Sequence, residues 1–146
     1  MNEFGKYASS RPPLPSPHLT TRLTLLSPSR DKATHLQTDV TSWSSQLALF
    51  KHALAASPTN AIDIVVANAG ISGQDPVWQI EADSPEPEEP SLSIVKVNLL
   101  GVHYTAKLAL HYLSKNTAAT DRLLVMTASL AGYLDMVGAP QYGASK

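Results

Sequence analysis

The 146-residue sequence contains no cysteine. Disulfide frameworks, thiolate zinc sites, iron–sulfur clusters and cysteine nucleophiles are therefore excluded. Glycine is scarce in the first half: of seven glycines, only Gly5 precedes residue 70. A glycine-rich phosphate loop near the start has no residues to build it. Charge is thin as well, 16% of residues against about 25% in an average soluble domain. Eleven Lys and Arg face twelve Asp and Glu, a net charge of −1. That balance gives no electrostatic reason to expect a nucleic-acid or membrane-surface partner. No apolar run reaches the roughly 18 residues that span a bilayer. Residues 1–17 lack the apolar block of a secretory signal, so the expected location is cytoplasmic. His18, His35, His52, His103 and His111 show no metal-ligand spacing, and no metal is expected. Neither a P-loop nor a Gly-x-Ser-x-Gly elbow occurs.

What is present becomes regular only after residue 30. Residues 1–18 hold four of the eleven prolines, Pro12, Pro13, Pro15 and Pro17, a composition that buries little surface. Residues 1–30 are expected to be a disordered or divergent N-terminal segment, with 19–26 as a short strand closed by Pro28. Residues 33–40 read as a strand ending in Asp39-Val40. Thr41 or Ser42 then caps a helix whose Trp43, Leu47, Phe50 and Leu54 share one face. Pro58 and Asn60 end it. The β-branched run 62–67 predicts a strand covered on both faces. Residues 73–90 form a loop with six of the twelve acids, Asp75, Glu81, Asp83, Glu86, Glu88 and Glu89, the pattern of a solvated connector. The longest helical pattern runs over 91–114 and is apolar on several sides, as in a buried or interface helix. A second buried strand over 122–127 leads into a loop with Gly132, Gly138 and Pro140. The alternation predicts an α/β fold with a parallel sheet.

Tyr142 and Lys146 lie four positions apart and share a helix face. An ammonium beside a phenol stabilises the phenolate. Such a tyrosine can exchange a proton with an alcohol or carbonyl. Ser129 follows a predicted strand at its carboxyl end, where open α/β sheets place ligands. Each feature alone is common by chance; their joint order is not. Asp39-Val40, Asn68-Ala69-Gly70, Asn98-Leu99-Leu100-Gly101, Ser129-Leu130-Ala131-Gly132 and Tyr142-x-x-x-Lys146, with Ser129 and Tyr142 thirteen positions apart, follow one another in the chain.

Residues 33–146 resemble the short-chain dehydrogenase/reductase family, and 127–146 most resemble its fungal branch similar to 15-hydroxyprostaglandin dehydrogenase. The resemblance implies a doubly wound, Rossmann-like parallel sheet. It implies reversible hydride transfer between NAD or NADP, with NAD favoured, and a small secondary alcohol or ketone. Tyr142 would be the general acid/base. Lys146 would assist it and hold the nicotinamide ribose. Ser129 would position the substrate oxygen, and Asn98 would hold a water linking Lys146 to solvent. Asp39 and Val40 would contact the adenine, while Asn68, Ala69 and Gly70 support the strand end beside the cofactor. Met136, Gly138 and Gln141 would line the substrate side. A homodimer or tetramer is implied for the complete domain.

The sequence departs from that family in one internal respect. Its Thr-Gly-x-x-x-Gly-x-Gly turn, whose glycines let the backbone reach a pyrophosphate, has no counterpart in residues 1–38. Residues 31–146 are therefore expected to be an incomplete domain, cut before its first strand and at its catalytic lysine. The alternative expectation is an inactive piece of such an enzyme that keeps only an association surface on the long helix.

Overall fold

The computed structural model describes residues 33–73, 77, 80, 82–117 and 121–146. Within it Thr34–Lys146 form one compact unit. The expected strand at 19–26 and the N-terminal segment 1–30 lie outside the described residues.

Helix α1 (Trp43–Ala56) begins at Ser42, whose hydroxyl accepts from the Ser45 N–H. Serine is effective there because its oxygen satisfies one of the orphan donors of the first turn. The helix ends where Ser57 N–H turns back to the Leu54 carbonyl, just before Pro58. Its buried face carries Gln46 and Phe50, with Leu47 packed on the same core; of the expected stripe Trp43 alone turns outward. Trp43, expected inside, is 41% exposed and sets its ring edge against Tyr104 at 5.5 Å.

Two parallel strands, β1 (Ile64–Ala67) and β2 (Leu123–Met126), pair in register from Ile64↔Leu123 to Ala67↔Met126. The crossover between them contains the long helix. It starts as α2 (Ser93–Val95), passes through a π-helical turn (Lys96–Leu100) and continues as α3 (Gly101–Lys115). Phe50 of α1 and Leu108, Ala109 and Leu113 of α3 form the core, with Val65 and Leu124 of the sheet packed on it. Tyr112 stacks on Phe50 at 5.3 Å. At the far end of α3, Asn116 donates to the Ile62 carbonyl at 3.2 Å and to Asp63 Oδ1 at 2.6 Å. Helix α4 (Pro140–Ser145) starts with Pro140 at its first position, where the missing N–H costs nothing.

Two expectations are corrected. Residues 33–40 form no strand. A strand needs a ladder partner, and among the described residues only β1 and β2 pair, with each other. Nor is β1 covered on both faces. Helices α1 and α3 pack on the same core cluster, against Val65 and Leu124. The opposite face stays open, with Ile64 60% and Val66 57% exposed. The architecture is thus an α/β, Rossmann-like parallel sheet in incomplete form.

Candidate active site

The carboxyl ends of β1 and β2 lie side by side, because the parallel register aligns Ala67 with Met126. The next residues are joined too. Thr127 N–H donates to the Ala67 carbonyl at 3.1 Å, and Thr127 Oγ1 donates to Asn68 Oδ1 at 2.9 Å. This is the end of a parallel sheet at which ligands gather.

Asn98 enters from the π-helical turn. The Gly101 N–H reaches back five residues to the Lys96 carbonyl, and such one-turn widenings favour functional positions. The Asn98 side chain, 3% exposed, accepts from Ile71 N–H and donates to the Ile71 carbonyl, both at 2.8 Å. It also donates to Ser145 Oγ at 3.0 Å, and that hydroxyl donates to the Tyr142 carbonyl at 2.8 Å. One amide thereby fixes the loop after β1 and the helix that carries Tyr142.

Lys146 caps α4 and its ammonium donates to the Thr127 carbonyl at 3.2 Å. Gly70 lies beneath it. A Cβ built on Gly70 would stand 3.3 Å from Lys146 Nζ and 3.4 Å from Asn98 Oδ1. The glycine leaves a cradle between a cation and an amide. Tyr142 is half-buried one helical turn before Lys146. Ser129 is also half-buried; its hydroxyl accepts from Ala131 N–H at 3.2 Å and so caps the 3-10 turn Leu130–Gly132. That turn packs on α4, where a Cβ on Gly143 would approach the Ala131 carbonyl to 3.3 Å.

Away from this network, Asp39 and Val40 sit just before α1. Asp39 Oδ1 accepts from both the backbone N–H and the hydroxyl of Thr41 at 2.8 Å. Those two bonds, the backbone one foremost, hold the carboxyl below its ordinary range, slightly opposed by desolvation. Val40, Asn68, Ala69 and Gly101 line a groove of about 380 Å³, which runs along the open edge of β1. Beyond α4, Met136 lines a second cavity of about 410 Å³ with Tyr133, Leu134 and Val137. Gly138 takes φ +79°, a left-handed turn that favours glycine. Gln141 does not line that cavity; its side-chain N–H donates to the Ser91 carbonyl at 3.0 Å.

The structure therefore gathers Asn98, Gly70, Lys146 and the Tyr142 backbone into one network. Asp39 and Val40 stand at a separate end, and Ser129 is reached through the turn it caps. Ser145, Thr127 and Gln46 also build the site and escaped the sequence reading. A polar residue four positions before Phe50 on an apolar helix face was the one available signal for Gln46.

Residues 18–146 match the family model described as short chain dehydrogenase. The chain belongs to that family of oxidoreductases. Among fungal relatives, 5'-hydroxyaverantin dehydrogenase of Emericella nidulans is 40% identical over 123 residues, covering 74% of this chain and 40% of that protein. An NADP-dependent dehydrogenase of a Phoma species is 38% identical over 119 residues, covering 74% of this chain and 35% of that protein. Among solved structures, a short chain dehydrogenase/reductase from Burkholderia phymatum in complex with NAD superposes with a TM-score of 0.60 at 27% identity. It covers 75% of this chain and 36% of that one. The chain thus spans two-fifths or less of the length of these short-chain dehydrogenases. Among the described residues, no group of three or more His, Asp or Glu side chains forms a metal site. No described helix is long and apolar enough to cross a membrane.

Proposed function

We propose that this chain carries the catalytic centre of an NAD(P)-dependent oxidoreductase that interconverts a secondary alcohol and its ketone. The observation that carries the proposal is the convergence of Lys146 Nζ and Asn98 Oδ1 over Gly70 at the carboxyl ends of the two strands. The Lys146 ammonium, with no side chain beneath it at Gly70, suits the hydroxyls of a nicotinamide ribose, and the buried Asn98 amide steadies the loop below. Among the described residues no glycine-rich turn is present for the pyrophosphate, so the fit extends only to the Lys146 end and to the Asp39–Val40 turn. When bound, the nicotinamide supplies the hydride acceptor or donor.

The chain's own residues do the rest. Tyr142 takes the proton of the alcohol oxygen or returns it to the carbonyl oxygen. Lys146 supplies positive charge one helical turn away and holds ribose hydroxyls. Ser129 orients the reacting oxygen from the neighbouring turn. Asn98 fixes the loop at Ile71 and α4 through Ser145, and it holds a water that connects Lys146 to solvent. Asp39 and Val40 meet the adenine; Asn68, Ala69 and Gly70 form the floor. Met136 stands in an open recess of mixed character with Tyr133, Leu134, Asp135 and Val137, and 5'-hydroxyaverantin is the first substrate to test.

The experiment offers the purified protein 5'-hydroxyaverantin and a panel of secondary alcohols with NAD and with NADP, and follows formation of the reduced nicotinamide. Turnover is expected with one cofactor preferred. Tyr142→Phe is expected to lose about 10²–10⁴-fold in rate with cofactor binding retained. Absence of turnover together with absence of saturable NADH or NADPH binding would overturn the proposal. That result would favour the second reading, in which the chain binds no dinucleotide and keeps only an association surface on the long helix. The lone glycine before residue 70 and the exposed Leu99, Leu100 and Leu110 support this alternative.

A further inference from the structure

Gln46 is 2% exposed on a helix whose other buried residue is Phe50. Burying an amide is unfavourable unless every polar atom is paired, and here each one is. The side-chain nitrogen donates to the Val40 carbonyl at 2.6 Å and to the Gly101 carbonyl at 2.9 Å. The side-chain oxygen accepts from Thr105 Oγ1 at 2.7 Å. Two carbonyl acceptors on one side fix the orientation of the amide, since only its NH2 group can serve both. Gly101 allows the approach. A Cβ there would stand 3.1 Å from both the Val40 carbonyl oxygen and Val40 Cγ2.

The bond to Val40 matters because residues 33–40 belong to no ladder. In a sheet a neighbouring strand would hold the Val40 carbonyl; here a side chain of α1 does so. The same turn is tied at further points to α1 and to itself. Asp39 N–H donates to Ser45 Oγ at 3.0 Å, and Ser42 N–H to the Asp39 carbonyl at 3.1 Å. Gln46 is the only member of this set that also reaches the long helix, at the residue immediately after the π-helical turn that bears Asn98.

We propose that Gln46 is the positioning residue of the adenine end, holding Val40 against Gly101 so that the Asp39–Val40–Thr41 turn presents a fixed edge to the base. The inference rests on the dinucleotide reading above. It assigns Gln46 no contact with the reacting atoms.

The test compares the wild-type protein with Gln46→Met, which keeps length and apolar volume but cannot donate to either carbonyl. AMP and reduced nicotinamide mononucleotide serve as separate probes of the two ends, and amide hydrogen exchange serves as a readout free of ligand. In the variant, AMP binding is expected to weaken about tenfold, the loss of roughly one buried hydrogen bond, while the nicotinamide mononucleotide changes less than about twofold. The Thr41 and Ser42 amides are expected to exchange faster, with those of Val66 and Val125 unchanged. If Gln46→Met does not fold, Thr105→Val, which removes only the hydroxyl that orients the amide, is expected to shift the same readouts in the same direction. Unchanged AMP affinity, or equal weakening of both mononucleotides, would overturn the positioning role. A wild-type protein that binds neither mononucleotide would instead overturn the dinucleotide reading and this inference with it.

Discussion

The Asn98 amide gives to Ile71 what a neighbouring strand would give, one donor and one acceptor at 2.8 Å. Replacing it by leucine leaves the part-buried Ile71 peptide without its partners, a cost of about 1 kcal/mol, and removes the bond to Ser145. The expected result for Asn98→Leu is a lower melting temperature together with loss of turnover; retained turnover at wild-type stability would contradict the network. Gly70 differs in kind. Its would-be Cβ comes closest to the tips of two side chains, Lys146 Nζ and Asn98 Oδ1, with the Asn68 carbonyl at an ordinary 3.9 Å, and the lysine tip can swing away. Gly70→Ala is therefore expected to weaken binding of the nicotinamide mononucleotide while calorimetry shows a melting temperature close to wild type. Asp39 sets a pH signature. Its carboxyl is held below its ordinary value of 3.8 by the Thr41 N–H first and the Thr41 hydroxyl second. A carboxyl with a lowered folded-state value stabilises the turn fully above its unfolded value and loses that effect as pH falls through the folded one. An NMR titration of the Asp39 carboxyl carbon should show a midpoint below 3.8; a midpoint at or above it would show that Thr41 does not hold the anion in solution.

Among the elements, the long helix decides most of the site. Its π-helical turn, Lys96–Leu100, spends one extra residue before Gly101, and Gly101 then lets Val40 approach. A methyl there meets backbone, the Val40 carbonyl at 3.1 Å, which cannot swing aside as a side-chain tip can. Gly101→Ala is expected to cost about 1–3 kcal/mol, as overpacking does, seen as a lower urea midpoint. The extents of α1, β1, β2 and the long helix as a whole were legible to within a few residues, because caps, β-branched runs and apolar periodicity are local signals. The π-helical turn was not, since a one-residue widening leaves the apolar pattern nearly intact. The burial of Gln46 and the exposure of Trp43 on α1 were equally hidden. Which face of a helix is covered depends on where its neighbour lies, and α3 lies more than forty residues downstream.

Among the described residues, helices cover one face of the sheet and leave the other open. Ile64, Val66, Leu123 and Val125 alternate outward from the two strands and are all exposed. A contiguous apolar surface of this kind favours association, and the open edge of β1 adds unpaired backbone groups. The 146-residue chain is expected to sediment as concentration-dependent oligomers. Val66→Thr combined with Val125→Thr, which keeps β-branching while adding polarity, should shift it toward monomer. Wild-type chain that sediments as a single monomeric species would show that this face is satisfied in another way.

Residue types and their order alone determined the family resemblance, the parallel α/β arrangement and the catalytic candidates Asn98, Ser129, Tyr142 and Lys146. Each of these rests on spacing within one element or on the succession of elements along the chain. Only the tertiary structure decided that residues 33–40 form no strand, that Gln46 rather than a ladder partner holds Val40, and that Gly70 sits between Lys146 and Asn98. These are contacts between residues 6 to 76 positions apart. Periodicity carries no information across such gaps: a hydrogen bond or a close approach exists only once packing has chosen which faces meet.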